Sequence, residues 1–238
     1  MKKDLSVLIL LVRNSFWRVL LAILMMFLID GLMFYMDIEL LHSSLEELLK
    51  NRPFIMGFMI ALLWITNILT LFGSGKVNKE YYTLKRLRLS ESQIWCWQAL
   101  YHTLCYLLLF IAEITLLLFL GRNYVTTSTV EVFGSASLLR IFSTNHYLYN
   151  LIPYHNLLRW FRNLIIVVGL GITSATEPIA KRRGINEYLA YPQLLLALIV
   201  FFIDLRFWLF DLLVILLSSI LTVKAIVYVK KGDGKDAV

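Results

Sequence analysis

Long apolar runs, separated by short charged or turn-forming segments, divide the chain into six stretches of membrane-crossing character: 16–36, 54–72, 94–120, 157–176, 188–203 and 207–229. A helix needs about 20 apolar residues to cross a hydrocarbon core of roughly 30 Å. Each run approaches or exceeds that length, and none shows the strict alternation of a half-buried strand. The pattern predicts an all-α, polytopic membrane protein whose 238 residues form a single transmembrane domain.

The connecting segments carry their own signals. Leu5 to Val12 is apolar but is separated from the first span by Arg13-Asn14-Ser15, and one helix across both would be too long to cross once. A break there is expected, leaving residues 3–13 as an interfacial helix with Trp17 and Arg18 at the membrane surface; a strongly tilted single helix is the alternative. No small-x-small site follows this stretch, so it is expected to be retained rather than cleaved as a signal peptide. Ser43 and Glu46 have capping-box spacing ahead of Pro53. Ser90 and Gln93 repeat that spacing, with Leu89 and Ile94 as a hydrophobic staple, so a helix should start at Glu91. Between Gly75 and that cap, Tyr81, Leu84 and Leu87 recur every three residues without Gly or Pro. This predicts a short amphipathic helix within the segment 76–89. Residues 122–156, with Thr126-Thr127-Ser128-Thr129 and Arg140, read as an external segment with partial helix, and Pro178 is expected to end the fourth span.

Composition agrees with the pattern: 59% of residues are hydrophobic and 16% charged, and mean hydropathy is +0.73. The net charge of +7 sits in clusters beside apolar runs rather than along one face, which points to membrane topology and lipid headgroups and away from nucleic acid. With both termini in the cytoplasm, 16 Lys and Arg fall inside and seven outside, the latter being Lys50, Arg52, Arg122, Arg140, Arg159, Arg162 and Arg206. The positive-inside rule therefore places both ends of this multi-pass protein in the cytoplasm.

Chemistry is sparse. Gly75-Lys76 lacks the remaining residues of a phosphate-binding loop, with Thr70 and Val77 in their places. Glu46 and Glu47 do not stand with Arg52 as the glutamates of an intramembrane CAAX-type protease would. Ser74 between Gly73 and Gly75 has no histidine in a later span to activate it. His42, His102, His146 and His155 are scattered, and Cys96 and Cys105 read as small apolar residues rather than as a disulfide or metal pair. No catalytic residue, cofactor site or metal site is expected, and the chain reads as a non-catalytic subunit. Glu113 is the one carboxyl placed deep in a span. It is read either as a functional group or as a protonated acid bonded to a neighbouring helix. Asp30, Asp204 and Asp211 are expected nearer the interfaces, and Arg159 and Arg162 are expected to snorkel toward headgroups.

The N-terminal stretch Leu5 to Arg13, the run Lys79 to Arg88 containing Tyr82-Thr83-Leu84-Lys85-Arg86-Leu87-Arg88-Leu89-Ser90, and the span opened by Ile94 together resemble the membrane-spanning permease subunits of bacterial ABC exporters of the type-two class. That resemblance implies six spans, an interfacial helix and a coupling helix between spans two and three. It also implies a separate ABC ATPase subunit docked on Lys79, Leu84, Lys85, Arg86, Leu87 and Arg88, and a second permease, identical or homologous. Peptide antibiotics, lipids or similar amphiphiles would be the cargo. Many such permeases carry re-entrant helices between spans five and six, where this chain has only Asp204-Leu205-Arg206. The other reading of the same pattern is a stand-alone bacteriocin immunity protein or a substrate-binding membrane protein.

Overall fold

The computed structural model describes residues 2–41, 53–71, 90–127, 146–153, 156–184, 188–203 and 207–233. Those residues form helices throughout: α1 (Lys2–Leu41), α2 (Pro53–Leu71), α3 (Glu91–Thr127), α4 (His146–Leu151), α5 (Leu157–Arg182), α6 (Ala190–Phe202) and α7 (Trp208–Asp233). Four of them, α1, α3, α5 and α7, are long and apolar enough to cross a membrane, while α2 and α6 are shorter apolar helices.

The outer helices expose apolar side chains along their lengths. On α1, Leu21, Leu24, Leu28 and Leu32 lie exposed at helical spacing, while Val19, Ile23, Met26 and Phe34 are buried. A helix apolar on both faces has lipid as the natural solvent for its outer side. On α7 the exposed set is Leu209, Leu212, Leu213, Leu216 and Ile220.

The polar residues are inside. Within its most apolar window α5 is 78% buried, against 22% for α7 and 33% for α1, so α5 is the axis of the bundle. Helices α3 and α7 pack along it, with α2 and α6 completing the shell and α1 lying against α2 and α3. Helices α1 and α3 run parallel, as do α5 and α7, and the first pair is antiparallel to the second, which gives the bundle two ends: one holding Asp30, Glu113, Arg162 and Asp211, the other Trp95, Thr176, Glu177 and Arg183.

Close approach of α3 and α5 depends on Gly171. A Cβ there would sit 2.8 Å from the backbone of Thr103, and backbone cannot rotate away. Small residues at such crossings let helices in lipid gain packing energy that larger ones would prevent.

Two expectations are corrected. No break separates an interfacial helix 3–13 from the first span: α1 is one helix of 40 residues, about 60 Å long against roughly 45 Å of bilayer including headgroups. Neither Gly nor Pro interrupts Arg13-Asn14-Ser15. Arg13 and Asn14 are exposed, and Ser15 is held by bonds to the Leu11 carbonyl and the Tyr101 hydroxyl, each 2.8 Å. Pro178 does not end the fourth span either. Helix α5 continues to Arg182, whose Nε donates to the Pro178 carbonyl at 3.2 Å. The partial helix expected in 122–156 is present: its first residues extend α3 to Thr127, and α4 is buried at Tyr147, Leu148, Asn150 and Leu151.

The cap at Ser90 forms as the spacing predicts. The Gln93 amide donates to Ser90 Oγ and the Ser90 amide to Gln93 Oε1, both 3.3 Å. Asn156 caps α5 through Oδ1, which accepts from the Leu158 amide at 3.1 Å.

Overpacking a close helix crossing costs about 1–3 kcal/mol. Gly171→Ala is therefore expected to lower the unfolding free energy in detergent by that amount, read by tryptophan fluorescence, whereas Gly31→Ala, with nothing within 4 Å of the added carbon, should not.

Candidate functional site

The charge of the bundle is gathered in two layers along α5. In the first, Arg159 and Arg162, one turn apart on α5, both reach Asp211 of α7. Arg159 Nε lies 3.2 Å from Oδ2 and Arg162 Nη1 2.5 Å from Oδ1. All three side chains are at least 95% buried. The remaining donors of Arg162, Nε and Nη2, go to Asn163 Oδ1 at 3.2 and 3.1 Å. The guanidinium of Arg159 stacks 4.7 Å from the Tyr149 ring centroid and donates from Nη1 to Asn150 Oδ1 at 3.4 Å. Helix α4 thereby becomes part of the layer: Asn163 Nδ2 donates to its Asn150 carbonyl at 2.7 Å.

Beside this group lies Glu113 of α3. Its Oε1 accepts the Tyr147 hydroxyl of α4 at 2.7 Å, while Oε2 has no hydrogen-bond partner. Asp30 of α1 stands within electrostatic reach of Glu113, against the backbone of Gly57, and neither of its oxygens meets a side-chain donor. Phe58 closes the layer from below, its ring 5.2 Å from Phe110 and 6.2 Å from Tyr147.

The second layer joins α3 to the far half of α5. Trp95 Nε1 donates to Thr176 Oγ1 at 3.0 Å, and His102 Nδ1 and Ser174 Oγ are 2.9 Å apart. Tyr106 donates to Thr66 Oγ1 at 3.0 Å. Ser174 also turns to the Gly171 carbonyl of its own helix, 3.1 Å away, so the His102–Ser174 contact is an interhelical clasp at mid-helix rather than an exposed nucleophile beside a base. Glu177 is buried and pairs with Lys181 at 2.9 Å, and Arg183 bonds Glu91 at 2.6 Å. Several polar atoms of this layer, including both side-chain amide atoms of Gln98 and His102 Nε2, lack a hydrogen-bond partner. Polar groups left unpaired in the interior are costly.

Some expected residues fall elsewhere. Lys79, Leu84, Lys85, Arg86, Leu87 and Arg88 lie outside the described residues, as do Asp204, His42, Glu46, Glu47 and Ser74. Arg159 and Arg162 do not snorkel but turn inward to Asp211, and Asp30 and Asp211 are likewise buried within the bundle. Their pairing spans 49 and 52 residues of sequence, and no local pattern announces it. Cys96 is exposed and Cys105 buried, and both are free thiols. Among the described residues no three His, Cys, Asp or Glu side chains cluster as metal ligands. An apolar groove of about 770 Å³ between α6 and α7, lined by Tyr188, Leu195, Phe210 and Leu217, offers no polar group for chemistry.

Compared with family models, with curated proteins and with solved structures, the chain matches none.

Removing one member of a buried charge group strands the others, at a cost of about 3–5 kcal/mol. Asp211→Asn leaves two guanidiniums without a counter-charge and is expected to cost that much in detergent unfolding, while Lys224→Ala on the exposed face of α7 should be neutral.

Proposed function

We propose that this chain is a permease subunit of an ATP-driven exporter, with a path for an amphiphilic cargo along the polar face of α5. The observation that carries the reading is the placement of polarity. A bundle whose only task was to sit in lipid would fill its axis with apolar side chains, yet here Arg159, Arg162, Thr173, Ser174, Thr176 and Glu177 are all buried on the central helix. Intramembrane ionisable residues are expensive to keep and concentrate on substrate and ion pathways.

In this reading α2 and α6 complete six spans and the termini lie in the cytoplasm, as the distribution of Lys and Arg favours. Helix α2, with 19 residues, is about 28 Å long, and α6, with 13, reaches only about 20 Å. The ion layer at Asp211 then faces outward and the Glu177 layer inward. The basic run Lys79, Lys85, Arg86 and Arg88 lies immediately before the Ser90 cap of α3, so a separate ABC ATPase subunit gripping that run would push on the start of a rigid helix. From α3 the displacement passes to α5 through Trp95–Thr176, His102–Ser174 and the Gly171 crossing, and from α5 to α7 through Asp211. Switching which end of the polar axis is open is a shear of packed helices. A second permease, identical or homologous, would frame the other side of the path within the bacterial cytoplasmic membrane, and this chain would perform no covalent chemistry.

Purification from the native membrane, with mass spectrometry of co-purifying chains, tests the reading. A stoichiometric ATP-binding subunit is expected. A chain that purifies alone would overturn it in favour of an immunity or substrate-binding protein. Within such a complex, reversing the charges of Lys85, Arg86 and Arg88 should abolish permease-dependent stimulation of ATP hydrolysis without preventing membrane insertion.

A further inference from the structure

We propose that Asp30 and Glu113 form an intramembrane proton-binding site, in which one exchangeable proton is kept on one of two neighbouring carboxyls that the fold buries, Glu113 being oriented by the Tyr147 hydroxyl. The inference goes beyond the export reading and does not depend on it. Both carboxyls are 0% exposed, on different helices, and within electrostatic reach of each other. Two ionised carboxylates are costly in such a space, because their repulsion grows as the dielectric constant falls. A proton bound to either one removes the repulsion.

The surroundings are arranged for that ligand. Tyr147 supplies a hydrogen bond to Glu113 Oε1 at 2.7 Å, while Glu113 Oε2 and both oxygens of Asp30 remain without side-chain donors. Gly57 makes room, since a Cβ at that position would collide with the Asp30 carboxylate, and its backbone is the contribution of α2. The charged groups at this end on α5 and α7, Arg159, Arg162 and Asp211, are bonded to one another and to Asn150 and Asn163, and α6 carries no charged residue. Calcium needs six to eight oxygen ligands, more than the five that two carboxyls and a hydroxyl supply, and a proton needs far fewer. Because Tyr147 belongs to α4, exchange of this proton with water runs through displacement of α4 from the bundle end, which links proton occupancy to the packing of α1, α3 and α4.

Infrared difference spectroscopy of the full-length protein in lipid, with pH stepped through neutrality into the alkaline range, reads the site directly. The expected result is a protonated-carboxyl carbonyl band with the amplitude of one group, which titrates away on alkalinisation, is indifferent to sodium at fixed pH, and is missing from Asp30→Asn/Glu113→Gln. A band that survives in that double variant would overturn the proposal. So would wild-type protein with only ionised carboxylates at every pH, or a band abolished by sodium. Tyr147→Phe keeps both carboxyls and guards against misfolding of the double variant. Losing the hydroxyl donor should move the band to higher frequency, and an unmoved band would count against the site.

Discussion

A charge in the interior of a membrane protein must meet its counter-charge there, and the rest of this bundle is arranged around that constraint. Asp211 receives two guanidiniums, from Arg159 and Arg162, and the three side chains fix where α7 stands against α5. Once α5 and α7 are locked at that end, Asn150 and Asn163 fill the remaining donor and acceptor positions and draw α4 inward. Helix α4 brings Tyr147 to Glu113, and Glu113 brings α3 into the layer. A six-residue helix is too short to be stable alone and persists because its polar groups are required by its neighbours.

Buried ion groups do not in general stabilise a fold more than apolar packing of equal volume would. Their presence along α5 therefore calls for a role other than stability. Both layers keep unpaired polar atoms, those of Asp30 and Glu113 in one and of Gln98 and His102 in the other, while Arg159, Arg162 and Asp211 are bonded to one another. Such unpaired groups are costly to hold in a low-dielectric interior. The α3–α5 seam is held by the Trp95–Thr176 and His102–Ser174 contacts, the Glu91–Arg183 ion pair and a glycine crossing.

Much of the helical architecture was legible in the sequence, because a 20-residue apolar run has few alternatives and the Ser90–Gln93 box marks a helix start by local chemistry alone. What misled was local polarity. Arg13 and Asn14 read as a break, yet they are exposed positions on an uninterrupted helix with neither Gly nor Pro to stop it. Pro178 read as a terminus, but an interior proline can kink a helix without ending it, and α5 runs on to Arg182. The site was harder still. The depth of Glu113 follows from its place in an apolar run, whereas the burial of Asp30, Arg159, Arg162 and Asp211 follows from partners far off in sequence. Nothing in His146–Leu151 reveals that this short aromatic stretch lies inside.

The central claim is that the polar face of α5 is a path rather than a packed core. Cysteine accessibility at Ser174 tests it most directly, in native membranes and in a background where Cys96 and Cys105 are replaced by alanine. Ser174→Cys is predicted to react with a water-soluble maleimide at a rate that changes when ATP is supplied, while Leu170→Cys, one turn away, stays silent. A Ser174→Cys variant as unreactive as Leu170→Cys under every condition would mean that the buried polar groups merely hold the bundle together, and would contradict the account.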